Sequence, residues 1–278
     1  MQPSSPRPPW VRRHPLTAFV LLAYGLSWSW WLAMGALGWR VAPGSAATHL
    51  PGLLGPALAA LGVTGWAEGR VGLRALLARC ARWPRPRWRT LGLALSPLLV
   101  AALVFAALAP FTGRLPVWTQ FKAYPGLPAD WPWFAVVVAA LLLNGFGEEL
   151  GWRGFLLQRL ARRHGPPRAA LGVAAVWALW HLPLFWVHAG MAAMLGPMLL
   201  GWVGGLVAGS LLLGWLFMAT DSVLVVALWH TAFNFMVATP PGQGAVAIAL
   251  NALVVLAAVR VWRAWQADPT PAAGSAGP

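Results

Sequence analysis

The chain is short of charge, and above all of acid. Only six of its 278 residues are acidic: Glu68, Asp130, Glu148, Glu149, Asp221 and Asp268. Lys122 is the single lysine beside nineteen arginines. Charged residues total 9%, against about 25% in a soluble domain, too few to coat a water-facing surface. The single cysteine, Cys80, excludes an intramolecular disulfide and a cysteine-based metal site. No H-E-x-x-H and no G-x-S-x-G occurs, so zincin and serine-hydrolase readings lack their motifs.

What is present is apolar. Hydrophobic residues make up 59% of the chain, with 20 Trp and a mean hydropathy of +0.65. That excludes disorder and points to a polytopic membrane protein. The net charge of +14 does not make nucleic acid the expected partner. The arginines fall between apolar runs rather than along one face.

Eight runs could cross a bilayer, given the roughly 20 apolar residues that a span requires: 16–38, 50–67, 90–111, 132–150, 169–188, 193–219, 222–238 and 244–263, the second and seventh being short enough to be tilted, broken or buried among neighbours. The expected fold is all-α, a bundle of about eight transmembrane helices with the catalytic cavity inside it. A basic tail (1–15) precedes the membrane domain (16–267), and a flexible tail (268–278) follows. The first run has small residues after it at Gly44–Ala47. It is longer than the roughly 7–15-residue core of a signal peptide, so it reads as a retained span. With the N-terminus inside, seventeen basic residues fall on the inner side and three, Arg40, Arg114 and Lys122, on the outer. This asymmetry places both termini in the cytoplasm of a multi-pass cell-membrane protein. Residues 70–89, with Leu73, Leu76 and Leu77 among arginines, read as a basic amphipathic surface helix ending at Pro84 and lying on anionic lipid.

A charge inside a span costs about 2.5–3.5 kcal/mol on translocon scales, so the few that occur carry the information. They are Glu148, Glu149 and Arg153 at the fourth span, His181 and His188 in the fifth, and His230 in the seventh, with Asn144 and Asn234 beside them. Adjacent carboxylates on a helix point about 100° apart. Glu149 and Arg153, at i,i+4, can pair, which leaves Glu148 free to face elsewhere. An unpaired carboxyl in a dry site suits general acid–base chemistry. His181 lies deep in its span, just ahead of the helix-distorting Pro183, while His188 reads as interfacial. His230 and Asn234 share a helix face at i,i+4. They could donate to an oxyanion or simply join helices. Grouped in one wet cavity, a Glu, two His and an Asn are the components of water activation and oxyanion stabilisation. A Glu with two His is equally a zinc ligand set.

Three ordered motifs carry a resemblance: Glu148-Glu149-Leu-Gly-Trp-Arg153, Trp177-Ala-Leu-Trp-His181 and His230-Thr-Ala-Phe-Asn234. They resemble the signature of the CPBP family, the CAAX proteases and bacteriocin-processing proteins also called Abi. The resemblance covers roughly 130–238. Trp177 stands where the family has Phe, which implies a change of packing with the chemistry kept. The resemblance implies an intramembrane endopeptidase whose eukaryotic branch trims prenylated C-a-a-X proteins. By similarity, Glu148 and His181 activate water, His230 and Asn234 hold the oxyanion, and Glu149 with Arg153 braces the site. A divalent metal such as zinc is compatible with these residues and not required by them. The implied substrate is a protein or peptide, lipidated or membrane-anchored, with membrane lipids as surroundings. The competing expectations are a non-catalytic bacteriocin-immunity or membrane interaction protein on the same fold, and a transporter with a proton relay. Counted from the expected span ends, Glu148 lies near the cytoplasmic side, with His230 about 12 Å and His181 about 20 Å deep. Tilt and the break at Pro183 would have to reconcile them, in a cavity opening toward the cytoplasm or inner leaflet.

Overall fold

The computed structural model describes residues 10–42 and 45–267. Residues 1–9 of the expected N-terminal tail, Pro43 and Gly44, and the whole expected tail 268–278 lie outside the described residues. The described part is helical. Its only strand-like pairing is one bridge, in which Val41 N donates to Val187 O and Ala189 N to Val41 O.

Among the described residues, eight longer helices and the short α3 lie along the expected runs: α1 Pro15–Ala36, α2 Gly55–Ala78, α3 Arg87–Ala94, α4 Ser96–Thr112, α5 Trp133–His164, α6 Pro166–Trp180, α7 Met198–Thr220, α8 Val223–Ala238 and α9 Ala245–Ala267. Proline opens several of them at the first turn, where its missing N–H is no loss. Helix α4 ends on Gly113 in the left-handed region, the conformation that glycine adopts without strain. A 3₁₀ turn, Leu50–Leu54, leads into α2, and together they form one apolar run. Among the described residues, five helical segments are each long and apolar enough to cross a bilayer, or six if the α3–α4 pair, bent by 62°, is one broken span, against the eight expected. The protein is a multi-pass, all-α membrane bundle.

Two expected boundaries move. The basic segment 70–89 is not one surface helix running to Pro84. Helix α2 kinks at Gly69, whose φ of 67° breaks the helical path, and continues only to Ala78. A separate short helix, α3, begins at Arg87. The fourth run does not end at 150 either, because α5 continues as one 32-residue helix to His164.

Helix α5 is central because glycine lets it approach its neighbours closely. A Cβ on Gly151 would lie 2.5 Å from Pro56 Cβ, and one on Gly147 would lie 2.8 Å from Leu53 O. These positions, one turn apart, seat α5 against the start of α2, the close approach that small residues allow in membranes. On another side, a Cβ on Gly145 would lie 2.4 Å from Thr231 Oγ1 of α8. Helix α5 is also not uniformly α-helical. Ala140–Phe146 and Trp152–Leu157 are π-helical, on either side of the α-helical turn Gly147–Gly151. Such wider turns recur at functional sites, where they re-aim side chains.

The turn between α7 and α8 is clamped to the end of α2. Asp221, at a left-handed φ of 44°, pairs with Arg79 and Arg82, and Val223 N donates to Arg79 O.

Candidate active site

Glu148 and Glu149 lie in the α-helical turn between the two π-helical segments of α5, and both are buried. Glu149 Oε1 accepts from Arg153 Nη1 at 2.7 Å, the pair expected from their spacing. The same oxygen lies 2.7 Å from His230 Nδ1 on α8. Arg153 is fully buried and is not a loop charge. Its guanidinium lies over the Trp177 ring, 4.5 Å from the centroid.

Glu148 is not free. Asn144 Nδ2 donates to its Oε1 at 2.8 Å, and Trp177 Nε1 donates to its Oε2 at 2.7 Å. An ionised carboxylate offers about four lone-pair sites, so these two bonds orient it without exhausting it. Asn144 also accepts from Asn234 Nδ2 through its own Oδ1, at 2.8 Å. That bond uses one of the two Asn234 amide hydrogens and leaves the other. The expected His230–Asn234 oxyanion pair is therefore already tied into the site, His230 to Glu149 and Asn234 to Asn144.

His181 follows directly from how α6 ends. Its backbone N–H turns to Ala178 O at 3.2 Å instead of reaching back four residues. Pro183, with no N–H, cannot restore the helical pattern. The carbonyl of Trp177 is thereby released, and His181 Nδ1 lies 2.6 Å from it. A carbonyl only accepts, so Nδ1 carries the proton and Nε2 holds the lone pair. The carbonyl of Trp180, released in the same tightening, accepts instead from Trp28 Nε1 at 2.9 Å. Edge-on rings of Trp180 and Trp202 flank the imidazole.

The expected difference in depth is not seen in how the three helices pack. Gly154 of α5 packs against Val223 at the start of α8. Glu148 lies six residues from that contact and His230 seven, about 9 and 11 Å along antiparallel helices. Leu157 of α5 and Ala170 of α6 meet at Gly214. Glu148 is nine residues from this second level and His181 eleven, about 14 and 16 Å. The continuation of α5 to His164 puts Glu148 midway along the helix, level with both histidines.

All six sequence-predicted residues thus join one cluster: Glu148, Glu149, Arg153, His181, His230 and Asn234. Two members had no assigned role. Asn144 was visible as a polar residue in an apolar run, four residues before Glu148. Trp177 read as a packing aromatic, but its N–H and carbonyl both serve the site. His188 stands apart. It caps a short turn by accepting from Met191 N, and its ring meets His49 edge-on at 4.8 Å. His49 precedes the second span. Burial first, then the neighbouring imidazoles of His188 and His181, holds its pKa down to about 3.

The zinc ligand set does not assemble. Among the described residues, no three His, Cys, Asp or Glu side chains are arranged to hold a metal ion. Both Glu148 oxygens have protein donors, and the Nδ1 atoms of His181 and His230 have protein partners.

Comparison with known proteins bears on this same stretch. Residues 130–236 match the family described as type II CAAX prenyl endopeptidase Rce1-like. The matched stretch is about two fifths of the chain. It holds the whole cluster, from Asn144 to Asn234. A relative named CAAX prenyl protease 2, from Methanococcus maripaludis, is 33% identical over 94 residues. That match covers 33% of each chain, so it spans about a third of the relative's length. Outside the matched region, other segments serve the site by packing, as the 3₁₀ turn does through Leu53 and α2 through Pro56.

Proposed function

We propose that the protein is an intramembrane endopeptidase that hydrolyses a peptide bond near the terminus of a lipidated or membrane-anchored protein or peptide. One observation carries this reading. A buried carboxylate (Glu148) and an imidazole with a free lone pair (His181 Nε2) are tied to the same residue, Trp177, midway through a membrane bundle. The family match and the relative named as a CAAX prenyl protease support it.

In this mechanism, Glu148 orients a water molecule and His181 Nε2 takes its proton as the oxygen attacks the scissile carbonyl. The carbonyl π electrons move to its oxygen, giving a tetrahedral oxyanion. The remaining amide hydrogen of Asn234 and the His230 ring donate to it. Donation from His230 Nε2 requires the imidazolium, because Nδ1 already faces Glu149. Glu149 holds the His230 ring through Nδ1, and Arg153 holds Glu149 in place. Collapse breaks the C–N bond, and the proton on His181 passes to the leaving amine.

The inner side is proposed as the cytoplasm, with both termini there. Cys80, the sole cysteine, then lies on the inner side. In intact cells it should resist a membrane-impermeant maleimide at pH 8.5, react after permeabilisation, and contrast with an outer Ser45→Cys in a Cys80→Ser background. Labelling of Cys80 in intact cells would reverse the orientation.

The function is tested by expressing wild type and Glu148→Ala at matched levels and mapping new protein termini in the membrane fraction by mass spectrometry. Termini produced only by wild type are expected. Identical profiles from two folded, abundant proteins would favour the non-catalytic immunity or interaction role.

A further inference from the structure

We propose that Trp177 is a positioning residue, whose indole N–H and backbone carbonyl together set the orientation of both water-activating groups. The inference rests on the roles proposed above for Glu148 and His181. It goes beyond them by naming the device that holds the two in register.

The carboxylate of Glu148 needs two fixed donors to be fixed itself. Asn144, on the same helix, holds only Oε1. With that bond alone, the carboxylate plane could still swing about the Cγ–Cδ bond, a broad and weakly restrained torsion. Trp177 supplies the second donor, on the other oxygen and from a different helix, so both the plane and its distance from α6 are set. The same residue's carbonyl fixes the ring orientation and tautomer of His181. Carboxylate and imidazole are therefore referenced to two atoms of one residue. A shift of α5 against α6 would have to break the indole bond first.

The N–H, rather than the ring, is the part that matters. The Trp177 ring faces the Arg153 guanidinium and meets His230 edge-on at 5.5 Å, contacts that a phenyl ring could also make. Only the indole N–H reaches Glu148. Nor is a bonded indole N–H automatic here, because the buried N–H groups of Trp152 and Trp180 have no partner. A hydrogen bond to a charged, buried acceptor is also among the stronger ones a side chain makes.

The test uses the full chain in lipid nanodiscs and a fluorogenic farnesylated C-a-a-X peptide as probe. Trp177→Phe keeps a ring and loses the donor. It should lower kcat ten- to hundredfold with KM within about twofold, at a melting temperature close to wild type. Wild-type kcat in Trp177→Phe, or a loss matched by a lost folded fraction, would overturn the proposal. A second readout needs no turnover. In spectra of protein labelled with ¹⁵N at the indole nitrogens, the peak missing from Trp177→Phe belongs to Trp177. It should move upfield in Glu148→Ala as the hydrogen bond is lost, and an unmoved peak would overturn the proposal. If wild type leaves the probe uncut, the substrate reading fails, and the indole peak still decides the role of Trp177.

Discussion

Asn144 donates one amide hydrogen to Glu148 at 2.8 Å from one turn away on the same helix, while its oxygen accepts from Asn234 of α8. One neutral side chain thereby joins the group proposed to orient water to a group proposed to hold the oxyanion. Asn144→Leu removes both bonds at similar volume. Loss of a hydrogen bond to a charged group costs about 1.5–3 kcal/mol, so kcat should fall roughly ten- to hundredfold. Steady-state kinetics on the farnesylated peptide would check this, and unchanged kcat would remove Asn144 from the site's machinery.

Arg153 is the buried cation beside Glu149. Arg153→Met leaves a buried carboxylate without its cation, which costs about 3–5 kcal/mol. Thermal unfolding in detergent should show a large drop. The double variant Glu149→Gln/Arg153→Met should recover much of it, since no charge is then stranded. A double variant as unstable as the single one would contradict this account.

Gly151 is where α5 touches Pro56. Gly151→Ala places a methyl group 2.5–2.7 Å from Pro56 atoms, backbone included. Overpacking of this kind costs about 1–3 kcal/mol. Gly201→Ala in α7, where nothing lies within 4 Å, is the control and should be neutral or slightly stabilising. Equal melting temperatures for the two variants would show that the α5–α2 contact yields more easily than its geometry implies.

His49 gives the bundle a pH dependence. It is buried among His188 and His181, and its pKa is depressed to about 3. The unfolded chain therefore binds a proton near pH 6.5 that the folded chain refuses until about pH 3. Between those values the unfolded state holds more protons, so stability falls as pH falls. Melting temperatures at pH 7 and pH 4.5 should differ less in His49→Gln than in wild type. An identical slope in both would place the acid sensitivity elsewhere.

The sequence alone determined that this is an apolar, all-helical membrane bundle, because about 20 apolar residues in a row can satisfy their backbone in lipid only as helix. It also singled out the site. Charge in a span is costly, so the few polar residues inside apolar runs are conspicuous. The Glu149–Arg153 pair was readable because i,i+4 spacing is local geometry. The ends of helices were not readable. Helix α5 runs past 150 because Glu149, one turn away, neutralises Arg153, and because Gly151 and Gly154 let neighbouring helices close over it, an effect that comes from those other helices. The polar partners that meet across helices were settled only by packing. Sequence places Glu148, Asn144 and Trp177 on their helices, but which donor meets which oxygen depends on how α5, α6 and α8 are rotated against one another. That rotation turned an expected free carboxylate into a doubly held one, and turned a packing aromatic into its donor.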